Sequence, residues 1–189
     1  MRLIKALTGY ERDKLSDIQF RIMRVALAVR DCFFSAEKRL LPFALKEGMV
    51  VVDFGCGPGS SVESASKFVG VNGKVYAVDV QPLAIQSVEK IIRDKQLDNV
   101  VPVLAVDYPI DIADHSVDVI FALDMFHHVK ETSAMLKELK RMIKPDGKLF
   151  IEGGHQPLNE AKDKILDSGV WLIVNEARRV FECKASHGK

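Results

Sequence analysis

Residues 51–60 read VVDFGCGPGS, an apolar run that ends on an aspartate and opens into glycines at every second position. Such a run has the form of a buried parallel strand turning into a helix, and glycines this dense place backbone N–H groups against a ligand. The spacing is Gly55-x-Gly57-x-Gly59, whereas the dinucleotide-binding pattern GxGxxG needs glycine where Ser60 stands. Asp53 argues the same way. Two residues before Gly55, its carboxylate would lie close to a bound pyrophosphate and repel it, but would attract a cationic amine or sulfonium.

Outward from this turn, short runs rich in Val and Ile alternate with longer amphipathic segments, the pattern of a parallel sheet with both faces covered. Strands are predicted over 50–54, 74–80, 100–106, 117–123 and 148–152, and helices over 61–69, 82–95, 132–143 and 158–167. Pro82 suits a first helical turn, and Gly70 and Gly147 are expected to follow helix ends. The runs 170–174 and 180–183 lie close enough to pair as an antiparallel hairpin. The expected fold is therefore α/β, a Rossmann-like doubly wound sheet of seven strands, mostly parallel with a C-terminal antiparallel hairpin and helices on both faces.

Before the first strand, Leu15, Ile18, Ile22, Val25, Ala26 and Val29 recur at helical spacing, and a second short helix is expected from Ser35 until Pro42 disturbs it. A chain of 189 residues, 48% apolar and 28% charged, builds one good core, so a single domain is expected. Within it, residues 1–45 form a helical segment, a candidate substrate lid, and 46–189 the cofactor-binding core. Cys32, Cys56 and Cys183 are scattered, without metal-ligand spacing, so neither a disulfide framework nor a metal site is expected; a cytoplasmic location fits. No apolar stretch is long enough for a signal or membrane-spanning helix. Residues 1–46 carry ten Lys or Arg against five acids, a net +5. That excess would attract an anionic substrate, a nucleic-acid backbone or an acidic membrane; mixed charges without interleaved aromatics equally describe a solvated helix face.

Two more acids stand at predicted strand ends. Asp79 can accept hydrogen bonds from both ribose hydroxyls of a nucleoside, and Asp107 one from an adenine amino group. Each alone would be an ordinary loop residue. Together with Asp53 on one sheet edge they describe a site for S-adenosylmethionine, which presents a sulfonium, an amine and an adenosine.

On these residues the chain resembles class I S-adenosylmethionine-dependent methyltransferases, in the small-molecule branch of ubiquinone and menaquinone biosynthesis. VVDFGCGPGS is similar to the family's first motif, VYAVDV with Asp79 to its second and VLAVDY with Asp107 to its third. VDVIFALDMFHHV resembles its fourth strand and following loop, and RMIKPDGKLFI the turn into its fifth strand. The resemblance covers about residues 40–152. It implies that Asp53, Gly55, Cys56, Gly57 and Gly59 surround the methionine portion of the cofactor, Asp79 the ribose, Val80 the adenine face, Asp107 and Tyr108 the adenine edge, and that Leu123 lies near the sulfonium.

Methyl transfer from a sulfonium is an in-line displacement that needs a base only for some acceptors. Asp124, His127, His128 and His155 lie at or beyond the fourth and fifth strands, and Asp124, His127 and His128 are the candidate catalytic residues. The alternative for the histidines is a structural hydrogen bond that shapes the loop. Cys56 between two glycines is a packing choice rather than a nucleophile. The implied function is methyl transfer to a small-molecule acceptor, with a non-catalytic module binding S-adenosylmethionine or S-adenosylhomocysteine, and a nicotinamide-dependent oxidoreductase, as rivals. Asp124-Met-Phe-His127 stands where exocyclic-amine methyltransferases acting on nucleic acid carry Asn or Asp, then Pro-Pro-aromatic, which argues against such an acceptor. Acceptor atom and oligomeric state stay open.

Overall fold

The computed structural model describes residues 16–33 and 35–186, apart from the side chains at 28, 29 and 31–33. In chain order the elements are α1 (Asp17–Phe33), α2 (Ala36–Leu40) running into a 3₁₀ turn (Leu41–Phe43), β1 (Val50–Phe54), α3 (Val62–Val69), β2 (Lys74–Asp79), α4 (Pro82–Lys95) and β3 (Val100–Leu104). They continue with β4 (Val117–Ala122), a 3₁₀ turn (Phe126–His128), α5 (Thr132–Met142), β5 (Ile143–Glu152), α6 (Leu158–Asp167), β6 (Trp171–Ala177) and β7 (Val180–Ala185). One seven-stranded sheet runs in the order β3-β2-β1-β4-β5-β7-β6; β1 to β5 are parallel and β7 is antiparallel to both β5 and β6. The order reverses between β1 and β4, and the carboxyl ends of those two strands therefore diverge into a crevice.

Successive strand residues face opposite sides of the sheet, and each side has its own core. On one, Val52, Ile120 and Leu149 pack with Leu136 and Leu139 of α5 and Ile165 of α6; on the other, Val51, Val119 and Phe121 pack with Ala65 and Val69 of α3 and Val88 of α4. Phe43 extends the second core: its ring stacks on Phe150 at 4.5 Å and Phe121 at 5.7 Å, contacts worth about 0.5–1.5 kcal/mol each beyond burial. That anchor joins the N-terminal helices to the sheet. On the first side, Trp171 is buried with its Nε1–H donated to the Leu136 carbonyl at 2.9 Å, which satisfies its one polar atom.

The helix indicated by the spacing of residues 15–29 is α1; its stripe of Ile18, Ile22 and Val25 faces solvent, and its inward face carries Phe20, Met23 and Leu27. Leu15 and the side chain of Val29, expected on that stripe, lie outside the described residues, as do Arg2, Lys5, Glu11, Arg12, Asp13, Lys14 and the side chains of Asp31 and Cys32. Gly147 does not follow a helix end: β5 begins at Ile143 directly after α5, and 144–147 loop out between the pairs Val117–Ile143 and Val119–Lys148. A Cβ at Gly147 would sit 3.0 Å from the carbonyl oxygens of Val117 and Asp118, so the close return to β4 requires glycine. Finally, β3 stops at Leu104, which leaves Asp107 in the loop beyond rather than on a strand end. The hairpin runs longer than the sequence indicates, and its turn holds Arg178 and Arg179 at φ 49° and 76°. Arg179 offsets that strain by donating to the carbonyls of Gly154 and Gln156, at 2.6 Å each. No helix among the described residues is long and apolar enough to cross a membrane.

Candidate cofactor and acceptor cleft

The crevice between the ends of β1 and β4 opens into a cleft roofed by α1. Its floor is the glycine turn. Gly55 and Cys56 donate their N–H groups to the Val78 carbonyl at 2.8 and 3.0 Å, which folds the turn back over β2. Gly55, at φ 76°, tolerates no side chain, because a Cβ there would lie 2.6 Å from Cγ of Met125. Gly57, at φ 53°, differs: only the tip of Met23 comes within 4 Å, so its bare backbone faces the cleft. Gly59 packs against Ile91 and Val88 of α4.

The acids divide by position. Asp53 is buried on the cleft wall; burial first, and then the neighbouring Asp79 carboxylate, push its carboxyl up to about 7 against the opposing pull of Arg39. Burial also raises Asp79, opposed by backbone N–H groups; its Oδ2 accepts from Gly57 and its Oδ1 from Gln81, both at 2.8 Å. Val80, Leu123 and Cys56 line the cleft, and burial with the Asp53 and Asp79 charges drives the Cys56 thiol well above its ordinary range, which suits packing and not nucleophilic attack. Tyr108 reaches the cleft, whereas Asp107 does not line it. Arg141 and Glu138 of α5 hold the loop that carries both: Arg141 donates to the carbonyls of Ile110 and Ile112, and Glu138 accepts the Ile110 N–H at 2.7 Å.

At the other end of the cleft, Asp124 adopts φ 57°, a left-handed conformation uncommon outside glycine. Its Oδ2 accepts from Arg30 of α1 at 2.7 Å and from Arg39 of α2 at 3.2 Å, and its own N–H donates to Glu152 Oε2 at 3.2 Å. Arg39 also bonds Glu152 at 3.3 Å, and burial with the Asp124 charge raises the Glu152 carboxyl. The expected catalytic residues thus part company. Asp124 is tied to two guanidiniums. His128 is exposed and lines the cleft, whereas His127 lies off the wall, its buried Nδ1 without a hydrogen bond among the described residues. The His127 ring lies 3.9 Å from that of His128 and 5.1 Å from that of His155; burial, and then those two rings, lower its pKa.

Arg30 and Arg39 count in the sequence only as part of the basic N-terminal segment, and nothing local marks them as site residues. Phe20, Met23 and Leu27 of α1 line the cleft together with Met125, Val129 and Met135, so apolar side chains stand beside the charged group of Arg30, Arg39 and Asp124 and the ring of His128. The wall suits the cofactor: the buried Asp53 carboxyl, the uncovered backbone at Gly57 and Asp79 at the end of β2 line one cleft.

Known proteins agree with this geometry. A family model described as a methyltransferase domain matches residues 52–151. The chain is 29% identical over 125 residues to the ubiquinone/menaquinone biosynthesis C-methyltransferase UbiE of Shewanella frigidimarina, covering 66% of this chain and 50% of that protein. It is 32% identical over 113 residues to (S)-coclaurine N-methyltransferase of Thalictrum flavum, covering 57% and 29%. The chain spans about half the length of the quinone-biosynthesis relatives it matches. The crystal structure of a SAM-dependent methyltransferase from Aquifex aeolicus superposes with TM-score 0.74 at 30% identity, over 91% of this chain and 98% of that one. With the first-motif turn, Asp53 and Asp79 towards the ends of β1 and β2 and the seven-stranded order in place, the chain belongs to the class I S-adenosylmethionine-dependent methyltransferases.

Proposed function

We propose that the protein transfers a methyl group from S-adenosylmethionine to an apolar small-molecule acceptor. The observation that carries this reading is Asp53, a buried carboxylate held partly protonated near neutrality beside an open glycine turn. A cation delivered there restores its charge and is bound in return. Asp53, Gly55, Cys56, Gly57 and Gly59 hold the methionine portion, Asp79 the ribose, Val80 and Tyr108 the adenine, and Leu123 borders the sulfonium. Asp107, off the cleft wall, acts on the adenine only through the loop it shares with Tyr108.

When bound, the cofactor supplies a methyl carbon on a positively charged sulfur; an acceptor lone pair takes the carbon as the C–S electrons return to sulfur. The chain's own work is alignment and exclusion of water. Phe20, Met23 and Leu27 cover the acceptor half, and Met23, Met125 and Met135 give it an adaptable lining. His128 is the group placed to accept an acceptor proton, with His127 packed behind it; Asp124 and Glu152 hold Arg30 and Arg39, and with them the N-terminal helices, over the cleft. Relatives named for quinone and coclaurine methylation support a small acceptor.

Titration calorimetry with S-adenosylmethionine, S-adenosylhomocysteine and NAD tests the ligand, and transfer of labelled methyl to a panel of phenols, quinols and amines tests the reaction. Binding of NAD alone would refute the assignment. Tight binding with no transfer to any acceptor would leave a cofactor-binding module in place of an enzyme.

A further inference from the structure

The outer surface of α1 has a character that the cleft does not require. Helical spacing divides it into three stripes. Phe20, Met23, Leu27 and Arg30 face the cleft; Ile18, Ile22 and Val25 point away, 73, 66 and 62% exposed; Arg21 and Arg24 run along the flank between. That flank is one wall of a second groove, whose other side carries Gln86, Ser87 and Lys90 of α4. No carboxylate lines the groove, and neither Arg21 nor Arg24 makes an ion pair among the described residues. Among the described residues Lys90 pairs with Asp94 one turn along its own helix, in the open.

A solvated helix back would be polar; this one exposes three branched apolar side chains beside uncompensated guanidiniums. We propose that this face docks on an anionic phospholipid surface, with Ile18, Ile22 and Val25 entering the headgroup boundary and lipid phosphates lying in the groove against Arg21, Arg24 and Lys90. Charge complementarity supports that occupant: the groove holds Arg21, Arg24 and Lys90 with no carboxylate among its lining residues, a cationic site suited to lipid phosphates. Nucleic acid fits less well. Phe20, the aromatic beside Arg21, is 2% exposed and offers no ring for a base, and branched aliphatic side chains gain nothing from a sugar–phosphate backbone. Docking would also bring the roof of the cleft to the lipid boundary, a route for an apolar acceptor; that consequence alone rests on the methyltransferase reading.

The full chain is sedimented with vesicles of phosphatidylcholine, with and without phosphatidylglycerol, at low and high salt. Retention on the anionic vesicles, released by salt, is expected, and R21Q/R24Q should weaken it roughly fivefold per charge. I22N/V25N should weaken it further while leaving calorimetric affinity for S-adenosylmethionine unchanged, the control for folding. Failure to bind anionic vesicles, or variants that bind like the parent, overturns the proposal. So does a dimer in light scattering that I22N/V25N dissociates, or an RNA oligonucleotide that binds where vesicles do not. Loss of cofactor affinity in the parent would refute the methyltransferase reading and leave the vesicle result standing.

Discussion

Arg30 on α1 and Asp124 just after β4, 94 positions apart in the chain, meet at 2.7 Å across the mouth of the cleft. Arg39 joins the same carboxylate and passes on to Glu152, so one cluster of four charges fastens the N-terminal helices to the ends of two neighbouring strands. Both arginines are about three-quarters covered, and Asp124 is 41% exposed. Solvent screening keeps each pair modest, about 0.2–1 kcal/mol. The cluster therefore governs where α1 rests more than whether the chain folds.

Substituting Asp124→Asn keeps a residue that tolerates the left-handed backbone and removes the charge that gathers both arginines. The melting temperature should fall by only a few degrees. The acceptor KM should rise several-fold with cofactor affinity nearly intact, as steady-state kinetics beside calorimetry would show. An equal loss of cofactor affinity would place Asp124 with the donor.

Cofactor binding should depend on pH through Asp53. Free, its carboxyl titrates at about 7, raised from 3.8; a bound cation favours the ionised form, so affinity should climb as pH rises towards 7 and level off above it. Proton release on binding, seen in buffers of different ionisation heat, should vanish in Asp53→Asn, along with at least tenfold in affinity. Stability of the free protein runs the other way. A carboxyl raised on folding stabilises when protonated, and that contribution is complete below 3.8 and lost as pH rises towards 7; Asp79 and Glu152 shift in the same direction. Chemical denaturation across that window should show the decline, and added S-adenosylmethionine should offset it.

The two glycines at the start of the turn should fail differently. Gly55→Ala combines φ 76° with a methyl group driven into Met125, and should cost about 2–4 kcal/mol of stability. Gly57→Ala meets open space and only the cost of its backbone angle, about 1 kcal/mol, so its larger effect should be on cofactor affinity. Denaturant titration and calorimetry on both variants separate the two effects.

His127 and His128 should separate as well. His127→Ala removes a packed ring whose Nδ1 is buried, and should lower the melting temperature. His128→Gln, at an exposed position on the cleft wall, should leave the melting temperature alone and lower kcat by about 10²–10⁴-fold where the acceptor must lose a proton before attack. With an acceptor that reacts as its anion, the same variant should retain its rate.

The order of elements, the glycine turn and the strand-end acids Asp53 and Asp79 are legible in the sequence because each is a local signal: a run of β-branched residues, a glycine spacing, an acid at the end of an apolar run. The face of α1 is not. Ile18, Ile22 and Val25 recur at helical spacing as well as Phe20, Met23 and Leu27 do, and periodicity cannot rank two apolar stripes on one helix; only the position of the sheet beneath decides which is covered. The same holds for the partners of Asp124 and for the choice between His127 and His128. Their roles depend on contacts between segments far apart in the chain, made where α1 and α2 cross the ends of β4 and β5, and no local propensity encodes that meeting.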